Sequence, residues 1–252
     1  MSTVTRRRVV AITGGTKGIG LAVTRLFHRH GYHVAVCARS TKAAGLPSGV
    51  LYRGVDVRKR ASVRRFIADV MSRFGGLDVL VNCAGISRWR PVGEIDEAFV
   101  EDVIQTNLLG TLWGCAAASA VMREGGAIVN LSSLAGKRGS ANNSAYCAAK
   151  FAVNGITQAL SKELGPRGIR VNAVCPVYVK TEHILASLRE PAAPPQGGSV
   201  EEYLASFASS QTALGRLPTA EEVAEVIYFL ASPSASAITG QCVNVDCGTL
   251  PQ

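Results

Sequence analysis

The sequence predicts an α/β domain: a doubly wound parallel sheet with helices on both faces. Short Val- and Ile-rich runs alternate with longer stretches of helical period, the rhythm of βαβ units, in which each crossover needs a helix. The apolar runs lack polar alternation, as strands covered on both faces require. A glycine-rich stretch, TGGTKGIG at 13–20, lies between the first apolar run and the first helical one.

In order, the first strand is read in VVAITGG (9–15), with helical period from Ile19 to His30. YHVAVCA (32–38) is the second run, followed by a helix from Lys59 to Arg73 and a strand in LDVLVNCAG (77–85). A helical stretch around Glu97 to Met122 precedes GAIVNLSS (126–133). Tyr146 to Leu164 precedes IRVNAVCP (169–176), and Ala220 to Leu230 precedes QCVNVD (241–246). No linker or repeat splits the chain, so residues 1–252 are expected to form one domain. One segment breaks the rhythm: LREPAAPPQGGSVEEY (188–203), with three prolines and two glycines, is expected to be an irregular surface excursion between helical pieces.

Composition narrows the function classes. At 252 residues, 47% hydrophobic and 18% charged, the chain can bury a sizeable core. It contains no run of about 18 apolar residues and no signal-like apolar stretch near its N-terminus, so a cytoplasmic protein without a membrane partner is expected. Seven scattered cysteines without C-x-x-C, and four isolated histidines, disfavour a disulfide framework or a metal site. The net charge of +9 is spread along the chain and lacks interleaved aromatics, which argues against nucleic acid.

The glycine loop points to a dinucleotide. A tight turn between the first strand and first helix brings backbone close to a pyrophosphate and aims a helix N-terminus at its charge. Gly14, Gly18 and Gly20 have the spacing G-x-x-x-G-x-G, unlike the P-loop pattern. Past the second strand, Ala38-Arg39 offers no carboxylate for the ribose hydroxyls of NAD. Lys17 and Arg39 could instead meet a 2′-phosphate, so NADP(H) is expected over NAD(H).

Four further features lie in order along the chain: NCAG at 82–85, Asn107, Ser133, and Tyr146 with Lys150 in Tyr-x-x-x-Lys, followed by NAVCP at 172–176. Together with the glycine loop the chain resembles the single-domain short-chain dehydrogenases/reductases, from about residue 8 to NVDCG (244–248). The resemblance implies a Rossmann-like fold and hydride transfer between a nicotinamide and a small carbonyl or alcohol substrate. It also implies a homo-oligomer, most often a tetramer. By the same resemblance Asn107, Ser133, Tyr146 and Lys150 are the catalytic set, Asn107 holding a water that links Lys150 to solvent. The implied cofactor contacts add Thr16, Ile19, Asp56, Val57, Asn82, Ala84, Gly85, Pro176, Val179 and Thr181, with Tyr146 and Lys150 shared between the two roles.

The chemistry can be argued from the residues. On a helix Lys150 lies one turn beyond Tyr146, on the same face. A phenol of pKa ~10 needs roughly 4 kcal/mol to drop about three units, which a close lysine and an oxidised nicotinamide could supply. Tyr146 would donate a proton to a carbonyl oxygen or take one from an alcohol. Of Ser132 and Ser133, strand geometry lets one face inward, and the family spacing favours Ser133. Val177 follows Pro176 where the family usually has glycine, and Cys83 replaces a commoner asparagine.

Substrate identity is expected in SRWRPV (87–92), Lys137 to Asn143 and the excursion 181–213, with Trp89, Arg88 and Arg90 forming a surface that could flank a ring or an anionic chain. GIRVNAVCP and ALGRLPTAEEVAEVI look similar to β-ketoacyl and polyketide ketoreductases, which favours a ketone reductase. An alcohol or polyol dehydrogenase is the alternative, and a dinucleotide-binding sensor the non-enzyme one.

Overall fold

Among the described residues, seven parallel strands form one sheet in the order β3-β2-β1-β4-β5-β6-β7. The strands are β1 Val9–Thr13, β2 His33–Ala38, β3 Leu51–Gly54, β4 Val79–Asn82, β5 Ala127–Leu131, β6 Arg170–Pro176 and β7 Cys242–Val245. The structure is a computed structural model that describes residues 6–40 and 45–251; residues 1–5, 41–44 and 252 of the expected domain lie outside the described residues. The strand order reverses between β1 and β4, and a parallel sheet opens its ligand crevice at the carboxyl ends beside such a switch point.

Two cores explain why the strands read as unbroken apolar runs. Val10 and Ile12 of β1, with Val34, Val36, Val79, Val81 and Val129, pack under α1 (Gly18–Arg29) and α8 (Ala220–Ala231). Their neighbours Val9, Ala11, Ala35, Cys37, Leu80 and Ile128 pack on the other face with α2 (Arg60–Phe74), α4 (Gly110–Ser119) and α5 (Ser144–Leu164). Both sets are shielded from water, so each Val or Ile contributes about 1.5–3 kcal/mol. Period-two alternation survives only as a choice of face.

Three elements differ from the expectation. β3 is missing from the sequence pattern because it is a four-residue edge strand whose Arg53 and Gly54 are exposed, leaving no apolar run. The stretch from Glu97 to Met122 is not one helix: α3 (Glu97–Ile104) passes through a π-helical turn at Gln105–Leu109 into α4. Such a turn re-aims one residue within a helix and occurs frequently at functional sites.

The third difference is the excursion, which is only partly irregular. It contains α6 (Glu182–Ser187) and α7 (Val200–Gln211), and the turns between them carry Leu188 and Ala193, both fully buried. These residues close a small core with Val200, Leu204 and Trp89. Trp89 is therefore an interior residue and not the surface expected, at 3% exposure. Polar bonds fasten the same seam. Ser87 N–H donates to His183 Nε2 at 3.2 Å, Trp89 N–H to Glu190 Oε2 at 2.9 Å, Asn142 Nδ2 to Ala192 O at 3.1 Å, and the Ser187 hydroxyl to Ser87 O. No helix among the described residues is long and apolar enough to cross a membrane.

Candidate active site

A cleft of about 690 Å³ runs along the carboxyl ends of the strands from the β1–α1 turn to the excursion, within the size range of small-molecule sites. Its walls at one end are the glycine turn, Arg39, Asp56 and Val57. At the other end they are Ser133, Tyr146, Tyr178 and Phe207.

The glycine turn is built by close approach. Gly14 has φ +69°, and a Cβ there would lie 2.8 Å from the Ala84 backbone; one at Gly20 would lie 2.2 Å from Gly14 O. Gly18 faces Thr181, 3.0 Å from where its Cβ would be. Lys17 caps α1 without a side-chain bond to the first-turn N–H groups, leaving them to an anion at the helix start. These features fit the pyrophosphate of a dinucleotide: a side chain at Gly14 or Gly20 would close the cradle.

Thr16, Ile19, Ala84, Gly85, Pro176, Val179 and Thr181 all line the cleft. Lys17 and Arg39 do so too, but Lys17 Nζ lies 3.6 Å from Glu182 Oε2, an exposed pair of little strength. Asp56 is engaged by Arg58, whose guanidinium reaches it at 2.8–3.0 Å and holds its carboxyl below the usual range. Asn82 corrects the expectation. It is not among the cleft walls; its Nδ2 donates to Asn130 Oδ1 at 3.0 Å beneath the sheet, and Asn130 passes the chain to Thr157 Oγ1 at 3.0 Å. The amide donors are held by such partners because leaving a buried one unpaired costs about 1–3 kcal/mol, whereas Asn82 Oδ1 is buried with no hydrogen-bond partner among the described residues.

At the other end, α5 delivers Tyr146 and Lys150 from its first two turns, and the end of β5 delivers Ser133. Ser132 is buried with its hydroxyl donating to Lys150 O at 3.3 Å, whereas Ser133 is half-buried and caps the 3₁₀ turn Leu134–Gly136 through a 3.1 Å bond from Ala135 N–H. Of the two hydroxyls it is that of Ser133 that acts on the Tyr146 phenol. Asn107 sits on the π-helical turn, completely buried. Its amide clamps the Ile86 peptide from both sides, accepting from N–H at 3.1 Å and donating to the carbonyl at 2.9 Å. That clamp fixes the Gly85–Ile86 wall, and a Cβ at Gly85 would sit 2.8 Å from Asn107 Oδ1.

The electrostatics depart from expectation in one respect. Burial pushes the Tyr146 phenol up to about 12, with the Ser133 hydroxyl pulling it partly back. Lys150 stands 5.6 Å from the tyrosine ring centroid, and its ammonium donates to Leu131 O at 2.7 Å rather than to the phenol. Burial also lowers Lys150 to about 8. The protein groups by themselves thus keep Tyr146 protonated at neutral pH, in the form of a proton donor.

The chain matches, over residues 14–249, the family model described as enoyl-(acyl carrier protein) reductase. It belongs to the short-chain dehydrogenase/reductase family. A monensin polyketide synthase ketoacyl reductase of Streptomyces virginiae is 40% identical, covering 96% of this chain and 97% of that protein. An L-2,3-butanediol dehydrogenase of Corynebacterium glutamicum is 35% identical, with 96% and 98% covered. Among solved structures, an actinorhodin polyketide ketoreductase variant with NADPH aligns at TM-score 0.87 and 35% identity over 96% of this chain and 97% of that one. This short-chain dehydrogenase/reductase is therefore an oxidoreductase that uses a nicotinamide cofactor on small carbonyl or alcohol substrates.

Several wall residues carry no motif in the sequence. Tyr178, Tyr203 and Phe207 form an aromatic cluster with ring centroids 5.0–6.2 Å apart, and Tyr178 and Phe207 line the cleft. The four-residue spacing of Tyr203 and Phe207 was the available signal, because it puts both rings on one helix face. His183 lines the cleft too, its pKa lowered by burial and by the nearby charges of Arg39 and Lys17. Val177 takes the expected glycine's place at the wall without a left-handed backbone, so glycine's freedom is not needed there.

Proposed function

We propose that the chain is an NADP(H)-dependent ketone reductase acting on an acyl, polyketide or related intermediate. The observation that carries this is the convergence of Ser133, protonated Tyr146 and Lys150 at one end of a cleft whose other end holds Arg39, with Asp56 there bonded to Arg58. When bound, the cofactor supplies the hydride. Gly14, Gly18, Gly20 and the start of α1 hold its pyrophosphate, and Arg39 suits a 2′-phosphate by its planar fork of donors.

Ser133 then holds the substrate oxygen, and the Tyr146 hydroxyl donates its proton to that oxygen as the alcohol forms. Lys150, charged below about pH 8, stabilises the phenolate left behind and fixes the neighbouring backbone through Leu131 O. Asn107 holds the wall opposite Lys150, and in this reading a water beside it returns the proton to Lys150 from solvent. The dehydrogenase direction is the second reading, favoured by the butanediol dehydrogenase relative.

Tyr146→Phe tests the assignment. Ketone reduction should fall at least about 10²-fold while NADPH binding by fluorescence holds, and surviving turnover would remove Tyr146 from the mechanism. We also assign a homo-oligomer, with Phe151 on α5 and Phe229 on α8 standing half exposed; light scattering after gel filtration tests it.

A further inference from the structure

Two guanidinium groups line the cleft without an ion pair or side-chain hydrogen bond among the described residues: Arg39 at the glycine-turn end and Arg138 at the other. The carboxylates that line the cleft stand at the glycine-turn end: Asp56, bonded to Arg58 and within reach of the Arg39 charge, and the exposed Glu182 beside Lys17. Glu190, next along the seam, is held by Trp89 N–H and by Arg88 at 3.4 Å. At the far end no cleft-lining carboxylate among the described residues pairs with Arg138. Arg39 belongs to the cofactor. Arg138 stands apart from it, five residues beyond Ser133, past the turn Leu134–Gly136 and near enough to Tyr178 for its charge to act on that phenol. The same cleft is lined by the apolar and aromatic side chains of Tyr178, Phe207 and Ile184, beside the polar Ser140, Asn143 and His183.

We propose that Arg138 is a specificity residue that binds an oxyanion carried by the substrate, away from the carbonyl that is reduced. This rests on the ketone-reductase reading above. A fork of five donors at an open rim suits a phosphate or a carboxylate, which it can grip through two parallel bonds. Five residues that include a 3₁₀ turn place the anion on the order of 10 Å from the reacting oxygen. The substrate class is thus a ketone with an apolar body and an anionic tail. A phosphate on a tether and a terminal carboxylate are the two sources of that chemistry.

The experiment compares matched substrates with saturating NADPH: acetoacetyl phosphopantetheine against the uncharged N-acetylcysteamine thioester, and a keto acid with a terminal carboxylate against its methyl ester. For the wild type, kcat/KM should favour the charged member of one pair, and which pair names the anion. In Arg138→Gln that charged-to-neutral ratio should drop about tenfold through KM, and Arg138→Lys should restore part of it. Raising salt from 0.05 to 0.5 M should lower the ratio in the wild type and leave it flat in Arg138→Gln. An unchanged ratio in Arg138→Gln, or a wild type with no preference for charge in either pair, overturns the proposal. If the wild type turns over none of the four, the ketone-reductase reading fails. Binding of acetoacetyl phosphopantetheine and of the keto acid to the NADPH-loaded protein, wild type against Arg138→Gln, then decides Arg138 by itself: equal affinity for both overturns it.

Discussion

The two ends of the cleft are built by different means. The glycine-turn end is made of backbone: three glycines and a helix start within a few residues of one another, packed against the end of β4 so closely that a Cβ at Gly14 would meet the Ala84 backbone at 2.8 Å. The far end is made of side chains from segments about a hundred residues apart, as in the bond from Ser187 to Ser87 O, held by a core around Trp89. Backbone can hold the invariant part of a ligand, because pyrophosphate asks only for N–H groups and close approach. Side chains can be exchanged without moving the sheet, so the varied part of the ligand is met where the small core can be rebuilt.

The largest expected effect breaks the far end alone. Trp89→Ala removes the centre of the small core and should cost about 3–5 kcal/mol of local stability, seen as faster proteolysis between residues 188 and 199 and a lower urea midpoint. NADPH affinity should change far less, and an equal loss at both ends would show that the two are one cooperative unit.

Lys150 lies where the ends meet. Lys150→Met should lower kcat/KM by about 10²–10³-fold. In the wild type, reduction should decline as pH rises past about 8, where the depressed lysine loses its charge. The same depression has a stability consequence of defined sign. Between about 8 and the ordinary lysine value near 10.4 the unfolded chain binds the extra proton, so the contribution of Lys150 to stability increases with pH across that window. An activity profile flat to pH 9.5 would separate Lys150 from turnover.

Smaller effects sharpen the cofactor end. Arg39→Asp should weaken NADPH by about 10–100-fold, the value of a charged hydrogen bond, and shift preference toward NADH. Smallest of all, Cys247 holds φ +53°, a left-handed backbone that costs a side-chain-bearing residue about 1–2 kcal/mol. Cys247→Gly should recover about 0.5–1 kcal/mol of it in a urea melt, since glycine returns part of the gain as unfolded-state entropy, without touching either end of the cleft.

What could be seen in the sequence follows the same division. β1, the glycine turn and α1 are contiguous, so strand, turn chemistry and helical period coincide in one window, and Gly14, Gly18 and Gly20 were legible. Tyr146 and Lys150 share one helix, and Ser133 lies at a strand end. Period analysis could not see Trp89 join Leu188 and Ala193, because it reports neighbours in sequence while that core is a contact between distant segments. Nor could it tell that Asn82 turns beneath the sheet, since facing is settled by the partner Asn130 on the adjacent strand. β3 escaped because two half-buried and two exposed residues carry no apolar signature, and the π-helical turn because its extra residue leaves the helical pattern almost unchanged.

The most direct test of the central claim is a fluorescence titration of the purified protein with NADPH and with NADH, followed in the same cuvette by cofactor oxidation on a β-keto ester. NADPH should bind at least about tenfold tighter than NADH, with oxidation on adding the ketone. Equal affinity for the two cofactors, or tight NADPH binding with no oxidation on any ketone supplied, would contradict that claim.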